Sequence, residues 1–97
     1  MGGETLDMKI QDLPEHTRLI QLAEESAELA QAAIKMIRAQ NGDTPVSIEE
    51  ASANLMEEIA DVSVCMTAVS DIVSPKEICE IIIKKAQRWE TRINAGE

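Results

Sequence analysis

The sequence predicts an all-α protein built from long antiparallel helices. Apolar residues recur at spacings of three and four along most of the chain, which is the helical period. The 97 residues include one Trp and neither Phe nor Tyr, and such an aliphatic core suits helix packing better than a small sheet, which relies on aromatic and β-branched side chains. Ala, Leu, Met, Glu, Gln and Lys, which favour helices, are abundant.

A chain of this size buries only a modest fraction of its surface as a monomer. We therefore expect a four-helix-bundle-like fold that is completed by oligomerisation, as a homodimer or homotetramer. Residues 1–97 are expected to form a single domain in which 1–12 is loosely ordered. The first helix is predicted over about 13–40, with Asp12 as its N-cap and Pro14 in its first turn.

Two breaks separate the three predicted helices. Asn41 or Gly42 is expected to take the left-handed conformation that ends a helix. Ser47 followed by Glu50 is a capping-box pattern and predicts a second helix over about 48–73.

The third helix is predicted over about 75–94, because Ser74 can act as its N-cap and Pro75 suits the first helical position. The side chains expected to form the core stripes are Leu19, Leu22, Ala23, Ser26, Leu29, Ala30, Ala33 and Ile37 on the first helix, Leu55, Ile59, Val62, Met66 and Val69 on the second, and Ile78, Ile82, Ala86, Trp89 and Ile93 on the third.

Carboxylates interrupt the apolar stripes of the first two helices. Glu25 and Glu28 are three residues apart on one helix, and Glu58 and Asp61 are three apart on the next, so the members of each pair lie on the same side. The helical projection puts Glu58 inside the core stripe and Asp61 at its margin. Partly buried carboxylates are costly unless they are protonated, paired or bound to a cation, so the four together predict a metal site.

The two pairs are expected to face each other. Glu28 lies about 12 residues before the end of its helix and Glu58 about 10 residues after the start of the next, which are similar heights at 1.5 Å per residue. Hard oxygen ligands of this kind suit Mg²⁺, which retains some of its waters, and Mn²⁺ could substitute for it.

The motif Glu24-Glu25-x-x-Glu28 followed by Glu58-x-x-Asp61 resembles the EExxE and ExxD pair of the MazG-like all-α nucleoside triphosphate pyrophosphohydrolases. The likeness covers residues from about 17 to 93. It implies hydrolysis of an NTP or dNTP to the monophosphate and pyrophosphate by a metal-activated water. Carried over to this chain, it makes Glu25, Glu28, Glu58 and Asp61 the metal ligands and Glu24 and Glu25 the catalytic carboxylates.

Lys85, Arg88 and Arg92 form a basic edge on the third helix. They are either a solvated face that complements the helix dipole or a clamp for the polyphosphate. The resemblance favours Lys85 and Arg88 as substrate-binding residues. His16 and Glu57 are expected to have no direct role in the chemistry.

Composition limits the partners. A net charge of −9 argues against a nucleic-acid polymer, whose binding depends on Lys and Arg. No apolar run approaches the roughly 20 residues of a membrane span. Because no export signal is visible, Cys65 and Cys79 are predicted to be reduced thiols that pack within a cytoplasmic protein.

Two other functions fit the sequence less well. A di-metal oxidative bundle of the ferritin kind needs a Glu-x-x-His motif on two helices, and no His follows either carboxylate pair here. A catalytically silent helical interaction module would fit the wide apolar surface of the first helix, but it has no physical need for carboxylates at core-facing positions.

Overall fold

The computed structural model of the protein describes residues 8–96. These form a short 3-10 helix, Ile10–Asp12, followed by three α-helices: α1 (Glu15–Asn41), α2 (Ile48–Ala68) and α3 (Pro75–Asn94). No strand occurs within the described residues, so the all-α prediction is confirmed. None of these helices combines the length and apolar character needed to cross a bilayer.

The start of α1 differs from the prediction. Asp12 is not its N-cap, because the Asp12 carboxylate accepts from the backbone N–H of Lys9 at 2.8 Å and closes the 3-10 helix instead. Pro14 occupies the N-cap position, and α1 begins at Glu15. Residues 10–12 of the predicted loose segment thus form a helical turn, and residues 8 and 9 precede it without regular structure, while residues 1–7 lie outside the described residues.

The other predicted helix caps, at Gly42, Ser47 and Ser74, are confirmed. Gly42 has φ 74°, the left-handed conformation that glycine adopts without strain, and ends α1. The Ser47 hydroxyl accepts from the backbone N–H of Glu50 at 3.1 Å at the start of α2. The Ser74 hydroxyl likewise accepts from the N–H of Glu77 at 3.2 Å at the start of α3.

The second helix ends five residues earlier than the predicted Val73. In a continuing helix the carbonyl of Ala68 would accept from the N–H of Ile72. That carbonyl instead accepts from Nη1 of Arg18 at 2.7 Å, and the Ile72 N–H turns to the carbonyl of Val69 at 2.9 Å. An arginine from α1 therefore replaces the next helical hydrogen bond and ends α2.

Helices α1 and α2 form an antiparallel hairpin. Arg18 reaches Ala68 and Asp71, whereas Glu25, further along α1, approaches Glu58 and Asp61, which come earlier in α2. Residue numbers therefore rise along α1 as they fall along α2.

Small side chains fill the contact between the two helices. The buried apolar residues are Ala32, Ala39, Ala51, Cys65, Ala68 and Val69. Four of the predicted core residues, Leu22, Leu29, Leu55 and Val62, are half-buried beside them. Ile59 and Met66 of the predicted α2 stripe are exposed in the single chain, because they lie on the side of α2 that α1 does not cover. The prediction is also wrong for most of the α1 stripe, since α2 leaves these residues exposed: Leu19, Ala23, Ser26, Ala30, Ala33 and Ile37.

The third helix leaves the hairpin and is exposed over nearly its whole length. Ile78 is half-buried, whereas every residue from 79 to 96 is exposed. The prediction that Ile82, Ala86, Trp89 and Ile93 are buried is therefore wrong for the single chain. The radius of gyration is 18.3 Å, well above the roughly 13 Å of a compact domain of about 100 residues.

Candidate metal centre

Three carboxylates meet between α1 and α2. One oxygen each of Glu25, Glu58 and Asp61 lies within 4.8 Å of the other two. Glu25 and Glu58 are half-buried, and Asp61 lies at the exposed rim. We call these three residues the acidic cluster. The antiparallel register produces it, since the middle of α1 faces the middle of α2.

Two oxygens of the acidic cluster are buried without a partner. Oε2 of Glu25 and Oε2 of Glu58 are shielded from solvent, and neither accepts a hydrogen bond from the described residues. A buried carboxylate oxygen that has lost its water and gained no donor is unfavourable. A divalent cation would supply the missing positive partner, so the donor set fits a hard metal ion.

The surroundings of Glu25 also disfavour an ionised carboxylate that has no cation beside it. Burial raises the pKa of its carboxyl above the usual value, and the nearby charges of Glu28 and Asp61 raise it further. Only the amide of Gln21 opposes this shift, by donating a hydrogen bond to Oε1 of Glu25 at 3.0 Å. The charged groups acting on Glu25 are thus acidic, and negative charge accumulates at the cluster.

A buried thiol lies next to the cluster. Burial raises the pKa of Cys65, and the charges of Glu25 and Asp61 add to the effect, so the thiol is neutral at physiological pH. Its packed position agrees with the prediction. Cys79, by contrast, is exposed on α3, so the prediction that both thiols are packed is wrong for Cys79 in the single chain.

The structure brings together three of the four predicted metal ligands. Glu28 is exposed and stands outside the group of three, although it is near enough to Glu25 to raise the pKa of that carboxyl. Glu24, which the resemblance makes a catalytic carboxylate, is exposed on α1. Both therefore border the cluster from the solvent side of α1.

The predicted substrate-binding residues lie on a different part of the chain. Lys85 and Arg88 line a shallow groove on α3 together with Trp89 and Arg92. Within residues 8–96 neither basic side chain forms an ion pair. The single chain therefore does not bring Lys85 or Arg88 into contact with the acidic cluster.

Sequence reasoning missed Arg18, which fixes the end of the hairpin. Its side chain is only 5% exposed. Nε donates to the carbonyl of Leu13 at 2.9 Å, Nη1 to the carbonyl of Ala68 at 2.7 Å, and Nη2 to Oδ2 of Asp71 at 3.1 Å. No local signal could have revealed this, because Asp71 is 53 residues away in the sequence.

Comparison of the chain with protein-family models, with curated proteins and with solved structures found no match. Inference about function therefore rests on the residues and their geometry.

Proposed function

We propose that the protein is a Mg²⁺-dependent pyrophosphohydrolase of the cytoplasm, which converts a nucleoside triphosphate or deoxynucleoside triphosphate to the monophosphate and pyrophosphate. The observation that carries the proposal is the pair of buried, unpartnered carboxylate oxygens on Glu25 and Glu58 beside Asp61. The motif resemblance noted in the sequence supplies the reaction class, and the acidic cluster supplies the chemistry that the class needs.

Glu25, Glu58 and Asp61 would hold the cation, with Glu28 beside them at the rim. A bound Mg²⁺ neutralises charge on phosphate oxygens and lowers the pKa of a coordinated water. Mn²⁺ has similar ligand preferences and is expected to substitute. Since the cluster already concentrates negative charge, a polyphosphate is expected to bind only together with the cation.

The remaining roles come from the motif resemblance. Glu24 is exposed at the edge of the site and would orient the attacking water, together with Glu25. Lys85 and Arg88 are proposed to bind the polyphosphate. Both are exposed on α3 and apart from the cluster in the single chain, so this role requires an assembly or a movement that brings a third helix to the site.

We also propose that the chain functions as a homo-oligomer, in which helices of a second copy cover the α1–α2 hairpin and complete a four-helix-bundle-like fold. The support is apolar surface that the single chain leaves exposed. Four apolar side chains of the hairpin are substantially exposed to solvent: Leu19, Ile37, Ile59 and Met66. Large exposed apolar surfaces are typical of interaction sites.

The same exposed surface supports a second candidate function, a helical interaction module without catalysis. This module would use the apolar face of the hairpin and would not need the acidic cluster. The two candidates differ in one measurable property, because only the enzyme requires a cation for its function.

The test is pyrophosphate release from a panel of canonical and modified NTPs and dNTPs, measured with Mg²⁺ and with EDTA. Wild type is compared with Glu58→Gln, and with Glu57→Gln as the matched control, since Glu57 is the exposed neighbour of Glu58 and lies outside the cluster. The enzyme predicts release that EDTA and Glu58→Gln abolish and that Glu57→Gln retains. Folded protein that turns over no nucleotide with either Mg²⁺ or Mn²⁺ would favour the interaction module.

A further inference from the structure

The α1–α2 hairpin has an uncovered apolar face. On α1, Leu19 and Ile37 each come directly after a residue that is buried or half-buried against α2. On α2, Ile59 and Met66 each come directly after a residue that is buried or half-buried against α1. Each of the four is therefore rotated by about 100° in the same sense from the helix contact. In an antiparallel pair this places all four on one side. We call these residues the hairpin face.

A second apolar surface lies on α3. Ile82, Trp89 and Ile93 recur at helical spacing along one side of the helix, and all three are more than half exposed. We call these residues the α3 stripe. Exposure of a Trp and two Ile side chains to water is unfavourable. The same holds for the hairpin face, so burial of either surface against another helix would be stabilising.

The chain's own α3 is held away from its hairpin. The turn between α2 and α3 is fixed at one end by Arg18, which bonds the carbonyl of Ala68 and pairs with Asp71. At the other end the Ser74 hydroxyl caps the first turn of α3. Folding α3 back onto the same hairpin would require residues 69–73 to change conformation, and Asp71, which pairs with Arg18, lies in this turn.

Charge favours the α3 of another copy as the cover. Helix α2 carries five acidic residues and no Lys or Arg, whereas α3 carries five basic and three acidic residues. The basic residues Lys85 and Arg92 flank the α3 stripe by helical position. An α3 laid on the hairpin of a second copy therefore meets an acidic helix with a basic edge, which steers association and fixes its register.

We propose that two copies of this chain exchange their third helices, so that the α3 stripe of each copy packs on the hairpin face of the other. One symmetric arrangement then covers both apolar surfaces on both copies, as a two-fold interface requires. This inference deepens the self-association proposed above by naming the segment that crosses between copies, and it is independent of the catalytic proposal.

The first test uses two adjacent isoleucines. Ile82 and Ile83 are 54% and 58% exposed in the single chain, so an aspartate at either position is tolerated equally by the isolated fold. Ile82 belongs to the α3 stripe, whereas Ile83 shares its side of the helix with Gln87 and Glu90. Exchange predicts that Ile82→Asp raises the dimer dissociation constant about a hundredfold and that Ile83→Asp changes it less than about threefold.

Light scattering coupled to size exclusion measures the mass, and circular dichroism checks that each variant stays helical. Trp89 is the single tryptophan and reports its own burial, so its emission should shift to shorter wavelength with rising concentration in wild type and Ile83→Asp but not in Ile82→Asp. A monomeric wild type at about 100 µM would overturn both exchange and the bundle. A dimer that Ile82→Asp leaves intact would overturn exchange alone.

The second test identifies what α3 packs against. Ile59→Asp damages the hairpin face and Ile82→Asp damages the α3 stripe, so each variant alone should be monomeric. When the two variants are mixed, the intact α3 stripe of Ile59→Asp can pack on the intact hairpin face of Ile82→Asp. Native mass spectrometry should then detect a heterodimer. Two helical, monomeric variants that form no heterodimer would overturn the exchange. Pyrophosphate release, measured separately, decides the catalytic proposal whatever this outcome.

Discussion

Glu25 of α1 and Glu58 of α2 approach each other across the hairpin with carboxylate oxygens within 4.8 Å, and each keeps one oxygen buried without a hydrogen-bond partner. Two ionised carboxylates in such a position repel each other and are poorly solvated. The arrangement is unfavourable for the metal-free protein, and the proposed cation would relieve it. The proposal therefore couples stability to metal binding at this one place in the fold.

The pH dependence of stability should show that the ionised form of Glu25 destabilises the fold. Its pKa is raised in the folded protein, so the stability contributed by its protonated form is fully present below the unfolded value of about 4.3 and is lost as pH rises through the folded pKa. In EDTA, Glu25→Gln should therefore melt above wild type at neutral pH, by about 2–4 °C. The difference should shrink toward pH 4.

The matched control for this series is Glu24→Gln, because Glu24 is the exposed neighbour of Glu25 on α1. Thermal denaturation followed by circular dichroism between pH 4 and pH 8 makes the measurement. If the melting temperatures of Glu25→Gln and wild type differ by the same amount across this range, ionisation of the Glu25 carboxyl does not destabilise the fold.

Removal of the buried arginine should destabilise the hairpin strongly. Arg18→Met leaves the carbonyls of Leu13 and Ala68 and the carboxylate of Asp71 without their donor. The melting temperature should fall by at least about 5 °C. Arg38→Met removes the same charge from an exposed position on the same helix and should change it by less than about 2 °C. Equal effects of the two substitutions would contradict the assigned role of Arg18.

The Arg18–Asp71 pair should also affect stability at acid pH. The hydrogen bond from Arg18 holds the pKa of Asp71 below its usual value, so the stability from this pair is present above about pH 4 and is lost as pH falls through the lowered pKa. The excess stability of wild type over Asp71→Asn should therefore decline between about pH 4 and pH 2. A difference that persists undiminished at pH 2 would argue against the pair.

The two serine caps should each contribute measurably to stability. Ser47→Ala and Ser74→Ala remove the hydroxyls that accept from the N–H groups of Glu50 and Glu77, and each should lower the free energy of unfolding by about 1 kcal/mol. Ser63→Ala is the control, because the Ser63 hydroxyl merely donates to the carbonyl of Ile59 within α2. That change should be within about 0.5 kcal/mol. Urea denaturation with an unchanged m value measures all three.

Local signals in the sequence were enough to predict three helix boundaries that depend on caps, although not the start of α1. Ser47, Ser74 and Gly42 act within a few residues of their partners, so the pattern of neighbouring residues determines the conformation. The end of α2 was predicted too late because the group that ends it, Arg18, comes from another helix. A long-range hydrogen bond to the carbonyl of Ala68 cannot be inferred from the residues around Ala68.

The candidate site was predicted more closely than the core. Carboxylates at spacing i, i+3 on two helices of matched height were expected to meet in the hairpin. Glu25, Glu58 and Asp61 do so, whereas Glu28 is exposed outside the group. The burial of Trp89 was predicted from its place on an apolar stripe. Such a stripe shows which side of a helix is apolar but not which element covers it, and in the single chain nothing covers α3.

The most direct test of the central claim is a Mn²⁺ titration followed by electron paramagnetic resonance of the free ion, with Mg²⁺ as competitor. Wild type should bind Mn²⁺ at the acidic cluster, Mg²⁺ should displace it, and Glu57→Gln should bind as wild type does. Glu58→Gln should weaken binding by at least about tenfold, equivalent to about 1.4 kcal/mol. Wild type and Glu58→Gln that bind Mn²⁺ equally, or not at all, would contradict the assignment of this cluster as a metal centre.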